Sequence, residues 1–131
     1  MARRKIDYEA GKAAFTLSSS LIYKGEEPDL KSLMTAVRFS LEELAERFPG
    51  RAVEIRIPPA GAVQILSGTT HRRGTPPAVV ECDMHTWIRL CDGTLVWKQA
   101  LEENLVNASG ERTNLETILP MWYRFHEQTA T

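Results

Sequence analysis

The strongest constraint in this 131-residue chain is a change of hydrophobic period at Pro49-Gly50. Upstream, Leu30, Leu33, Met34, Val37, Leu41, Leu44, Ala45 and Phe48 recur at three- and four-residue steps. That is the period of a helix with one apolar side, and Lys31, Glu42, Glu43, Glu46 and Arg47 fall off the stripe. Pro28-Asp29 starts the pattern and Pro49-Gly50 stops it, so a helix is predicted over about Asp29–Phe48. Downstream, Val53, Ile55 and Ile57 alternate with Glu54 and Arg56, the period-2 pattern of a strand with one buried face. A long amphipathic helix followed by half-buried strands needs a layered fold in which the helix covers a sheet.

The rest of the chain fills in those layers. Asp7 is a candidate N-cap, and Ala10, Ala13, Ala14, Leu17 and Leu21 mark a first helix from about Tyr8 to Ser19. Gly11 interrupts that helix at a cost of ~1 kcal/mol relative to Ala. Lys24–Pro28 reads as a polar loop. After the first strand, Pro58-Pro59-Ala60-Gly61 is a short connection to a second, Ala62–Ser67, and so tight a link predicts an antiparallel pair. Gly68–Pro77 is a loop containing His71-Arg72-Arg73, and Ala78–Cys82 is a third strand. Asp83 caps a short helix bearing Thr86, Trp87, Ile88 and Leu90, which Asp92-Gly93 ends because Gly takes the positive φ of a helix C′ position. Thr94 is the expected cap of a second short helix with Leu95, Trp97 and Leu101. Leu105–Ser109 is a fourth strand, and Thr113-Asn114-Leu115-Glu116 has the spacing of a capping box. Helices and strands segregate, which predicts an α+β fold: a small, mostly antiparallel sheet covered on one face by helices.

The residues RGTPP (73–77), VVE-x-D (79–83), TW-x-RL (86–90), DG-x-L-x-W (92–97) and ASGERTNLETILP (108–120) resemble the bacterial branch of the sterol carrier protein family. The resemblance runs in order through the last three fifths of the chain. It implies one sterol-carrier-like domain over 1–131, an internal apolar cavity and a non-catalytic role in binding lipid-like or other apolar molecules. Relatives of this domain also resemble the C-terminal part of thiol transferases of the maleylpyruvate isomerase type, which suggests an accessory protein-interaction module as the second reading.

Composition narrows the function. Hydrophobic residues make up 43% and charged residues 25%, ordinary for a globular protein, and the net charge is −1. That balance argues against a nucleic-acid binder, which needs excess Lys and Arg to neutralise phosphates. Met1-Ala-Arg-Arg-Lys5 is basic but no apolar h-region follows, no run is long enough for stable membrane insertion, and two cysteines do not make a disulfide framework. A cytoplasmic protein is the expectation. Cys82-x-x-His85 looks like half a metal site, but its second pair is missing, so no metal or other cofactor is expected. Ser18-Ser19-Ser20 lacks a nucleophile-elbow context, His71, His85 and His126 stand apart from any nucleophile signal, and there is no P-loop; no catalytic residue is assigned. His71-Arg72-Arg73 is either an anionic-head-group contact or a solvated loop.

Three tryptophans are the most informative apolar residues, either as core or as walls of a ligand site. With the resemblance, the expected lining of the cavity is Val63, Ile65, Val80, Trp87, Trp97, Leu119, Met121 and Trp122, with Gln64 either a polar contact inside it or a solvent-facing residue. The partner is an apolar small molecule or lipid, bound between the sheet and the segment after Pro120.

Overall fold

The computed structural model describes residues 6–68, 77–110 and 114–122. Its elements are α1 (Tyr8–Tyr23), α2 (Leu30–Arg47), β1 (Val53–Ile57), β2 (Gly61–Ile65), β3 (Ala78–Cys82), α3 (Met84–Asp92), α4 (Trp97–Glu102) and β4 (Val106–Ser109). Three helices begin on an aspartate. Asp7, Asp29 and Asp83 accept the backbone N–H of Ala10, Ser32 and Thr86, each satisfying a donor that the first helical turn leaves open. At Asp29 hydrogen bonds from the Ser32 side chain and then from its backbone N–H hold the carboxyl below its ordinary pKa. Gly93 ends α3 in the left-handed conformation at φ 83°.

The four strands form one sheet in the order β2-β1-β3-β4. β2 pairs antiparallel with β1, and β4 antiparallel with β3, but β3 runs parallel to β1, so the sheet is mixed. Parallel neighbours usually require a helical crossover. Here the β1–β2 hairpin makes the return journey: β2 ends beside the start of β1, and the chain then steps across to β1's other edge. Ala52 ties both neighbours at that point, donating to the Leu66 carbonyl at 2.8 Å while its own carbonyl accepts from Ala78 N–H at 2.9 Å.

One face of the sheet is buried. Val53, Ile55, Ile57, Ile65, Ala78, Val80, Cys82 and Val106 join Phe15 of α1, Trp87 and Ile88 of α3 and the α2 stripe in one core. Leu33, Val37, Leu41 and Leu44 are all buried, as the periodicity of α2 demands. The other face carries Glu54, Arg56, Gln64 and Glu81; Arg56 and Gln64 both donate to the Glu54 carboxylate, which lowers its pKa. Gln64 therefore faces solvent.

α1 departs from the expected pattern. It extends to Tyr23, and the face it buries is Gly11, Phe15, Ser18 and Ser19. Ala10, Ala13 and Leu17 of the predicted stripe are exposed. The reason is steric: a Cβ built on Gly11 would lie 2.2 Å from Cδ1 of Phe39, so the α2 ring occupies the space above the glycine. Gly11 lets α1 and α2 approach, and Phe39 selects which side of α1 is inside.

One expected cap also differs, and another falls partly outside the described residues. Val96, without a side-chain cap, precedes α4, because Thr94 is engaged elsewhere. Residues 116–118 form a turn, with Asn114 Oδ1 accepting the Glu116 N–H at 2.9 Å; the expected capping partner, Thr113, lies outside the described residues. So do His71-Arg72-Arg73, His126 and residues 123–125.

Candidate functional site: a cleft beside the α3–α4 turn

Between β3 and β4 the chain makes an excursion through α3 and α4, and the segment 114–122 returns across it. These pieces enclose a cleft of about 360 Å³ lined by Leu90, Gly93, Leu95, Val96, Trp97, Lys98, Glu116, Leu119 and Pro120. Its volume falls within the range of small-molecule sites, which runs from ~300 to ~1,000 Å³. Leu90, Leu95, Trp97 and Leu119 are buried residues that present apolar walls, while exposed Lys98 and Glu116 add one charge of each sign. Val96, 59% exposed, is the apolar residue of the mouth.

Both walls are anchored. Asp92, only 1% exposed, accepts three hydrogen bonds: from Ser19 Oγ of α1 at 2.6 Å, and from Thr94 N–H at 2.9 Å and Thr94 Oγ1 at 2.7 Å. This explains why Thr94 does not cap α4. It also fixes the Gly93–Leu95 wall to α1, since a buried carboxylate holds its donors firmly. The facing wall is pinned where the Cys91 carbonyl accepts the N–H groups of Met121 at 2.9 Å and Trp122 at 3.1 Å. Trp122 then packs on Phe15, with ring centroids 4.7 Å apart, and stacks on Phe39 at 5.4 Å, with the Arg47 guanidinium 5.5 Å from its ring centroid. Such ring and cation contacts add to area burial.

Of the eight residues expected to line a cavity, the structure brings Trp97 and Leu119 together in this cleft. Ile65, Val80 and Trp87 are fully buried core, and Val63 packs half-buried against that core. Trp87 satisfies its indole N–H by donating to Ser40 Oγ at 2.7 Å, a hydroxyl that in turn donates to the Val37 carbonyl. Met121 and Trp122 are half-buried against the core behind the cleft. Sequence reasoning missed Leu90, Gly93, Leu95, Val96, Lys98, Glu116 and Pro120. A signal was available, because DG-x-L-x-W spans one whole wall of the cleft.

The remaining candidates for chemistry do not converge. Cys82 points into the core, where burial pushes its thiol up to about 12, whereas His85 Nε2 lies 2.9 Å from Glu27 at the surface. Cys91 is likewise raised well above the ordinary thiol range by burial. Thiols so raised stay protonated at neutral pH, and a protonated thiol is a poor nucleophile. Ser19 is a donor to Asp92 rather than a partner of a histidine. Among the described residues, two buried side-chain polar atoms have no hydrogen-bond partner, Ser18 Oγ and Trp97 Nε1.

A second depression of about 440 Å³ is lined by Arg56, Pro58, Pro59, Gly61, Ala62 and Glu81. All six are exposed, so it is a hollow in the outer surface without buried walls. Among the described residues, no helix is long and apolar enough to cross a membrane.

No curated protein matches the chain. The family model described as bacterial SCP ortholog matches residues 29–121, which takes in α2, the whole sheet, both short helices and every residue lining the cleft. With most of its length matched, and with the mixed sheet and covering helices in place, the chain belongs to the bacterial sterol-carrier-protein-like family.

Proposed function

We propose that this protein binds and carries a lipid-like or other apolar small molecule in the cleft beside the α3–α4 turn, without a chemical step. The observation that carries the reading is the cleft itself, which sets Leu90, Leu95, Trp97 and Leu119 together in a mixed polar and apolar lining and is held on both sides by Asp92 and by the Cys91 carbonyl. Family membership supports a carrier rather than a catalyst. The occupant is a ligand whose apolar part rests on Leu90, Leu95, Trp97 and Leu119, with its polar end at the mouth near Lys98 and Glu116. A ligand losing ~350 Å² of apolar surface gains about 9 kcal/mol at ~25 cal/mol per Å². Association costs of order 4–15 kcal/mol offset much of that, so micromolar or weaker affinity is expected.

The test uses Val96→Trp, which fills the mouth from a residue too exposed to disturb folding. A panel of fluorescent fatty-acid and sterol probes is titrated into the wild type, into this variant and into Ala62→Trp in the outer hollow. Binding weakened at least ~10-fold by Val96→Trp alone, a loss of about 1.4 kcal/mol, supports the cleft. Equal binding by all three proteins places the ligand elsewhere. No binding by the wild type to any probe overturns the carrier reading.

A further inference from the structure

One residue of the cleft holds a hydrogen-bond donor that the protein leaves unused. Trp97 is 5% exposed, yet its indole Nε1 has no hydrogen-bond partner. The other buried tryptophan, Trp87, shows the usual arrangement, donating to Ser40 Oγ at 2.7 Å. A buried donor without an acceptor forfeits its hydration and gains nothing in return, so its persistence in a fold calls for a reason.

The side chains around Trp97 do not supply the acceptor. Leu90, Leu95, Leu119 and Pro120 are apolar, and Lys98 can only donate. Thr94, the nearest hydroxyl in sequence, is already bound to Asp92. Glu116 is the one carboxylate of the lining, and it is exposed.

We propose that Trp97 selects the ligand: its indole N–H donates to an uncharged oxygen, the carbonyl of a ketone or ester, carried within an otherwise apolar molecule. This rests on the cleft being the ligand site, and it adds which kind of apolar molecule the cleft prefers. The acceptor is uncharged because an ionised carboxylate beside Trp97 would be buried without a cation, Lys98 being exposed. A free fatty acid sets its carboxylate at the mouth and leaves the indole unpaired, and a plain hydrocarbon leaves it unpaired as well. Nε1 is itself covered, so the ligand meets it on parting Trp97 from the facing wall of Leu119 and Pro120. A site that hydrogen-bonds its ligand rejects the analogue lacking that group more strongly than an apolar pocket rejects a missing methylene.

The probes are propionyl-dimethylaminonaphthalene, a fluorescent ketone, and its propyl isostere, which has a methylene in place of the carbonyl. Each is titrated into the wild type, into Val96→Trp and into Trp97→Phe, which keeps an aromatic ring and loses the N–H. The ratio of the two affinities is the readout, because the greater hydrophobicity of the propyl compound cancels between proteins. From wild type to Trp97→Phe that ratio should shift about tenfold against the ketone. Val96→Trp should weaken both probes. Should Trp97→Phe fail to fold, the indole proton signals of the three tryptophans in the wild type decide. The Trp97 signal should move downfield with the ketone and not with the isostere, and a signal that ignores the ketone overturns the inference. A ratio unchanged by Trp97→Phe, with both probes weakened by Val96→Trp, overturns it and leaves the carrier reading standing. So does failure of both probes to bind while fatty-acid or sterol probes bind in the cleft. Absence of binding by every probe overturns the inference and the carrier reading together.

Discussion

Gly11 shows how a residue that weakens its own helix can hold two helices together. By propensity alone, Gly11→Ala should stabilise α1 by ~1 kcal/mol. The added methyl instead enters the space of the Phe39 ring, at 2.2 Å from Cδ1. That ring has little room to yield, because Tyr8 meets it edge-on at 5.5 Å and Trp122 stacks on it at 5.4 Å. Overpacking should win, so Gly11→Ala is expected to lower stability by ~1–3 kcal/mol in urea denaturation. A gain in stability would show that the ring moves aside freely. Nothing in the local sequence announces this role, since a glycine in a helical pattern looks the same whether or not a ring lies above it.

At the scale of the element, α3 and α2 were legible for different reasons. α2 is long and its stripe is continuous, so the burial of Leu33, Val37, Leu41 and Leu44 follows from spacing, although Leu30 of the same stripe is exposed and Ala36, Phe39, Ser40 and Glu43 outside it are buried as well. α3 has nine residues, too few to be stable in isolation, and depends on its ends and its packing. Both ends are written locally: Asp83 accepts the Thr86 N–H at 2.8 Å, and Gly93 supplies the positive φ. Asp83→Ala should cost ~1 kcal/mol of global stability, seen as a shift in the urea midpoint with an unchanged slope. A loss below ~0.3 kcal/mol would mean that packing of Trp87 and Ile88 holds α3 without its cap. α4 was misread at its start because Thr94 had two acceptable employments, and the buried carboxylate of Asp92 is a stronger acceptor than a helix-cap geometry is a constraint.

In the whole molecule, Asp92 links regions far apart in the chain. It joins α1 to the α3–α4 turn across 73 residues of sequence and so holds one wall of the cleft. Asp92→Ala removes the acceptor and leaves buried hydroxyl and amide donors unpaired, at about 1–3 kcal/mol for each group left unsatisfied. The expected total loss is ~2–4 kcal/mol, with Asp92→Asn costing less because its amide can still pair with Ser19 and Thr94. In the same variants probe binding in the cleft should weaken with the loss of the wall, while Ser19→Ala should reproduce only the smaller part. Equal stability of Asp92→Ala and wild type in urea would show that the buried network is not what secures the turn.

By itself the sequence determined the helices and strands near their observed bounds, the α+β class, the helix caps at Asp7 and Asp83 and the inward side of α2. These follow from interactions within a few residues, or from a stripe long enough to have one reading. Only the tertiary structure decided which side of α1 is buried, that β3 runs parallel to β1, and that Trp87 is core while Trp97 lines a cleft. Hydrophobic period reports that a residue avoids water but not what it meets. Ala10, Ala14, Leu17 and Leu21 make as regular a stripe as Gly11, Phe15, Ser18 and Ile22, and the more polar side went inside because Gly11 leaves room for Phe39 and the neighbouring Ser19 donates to Asp92.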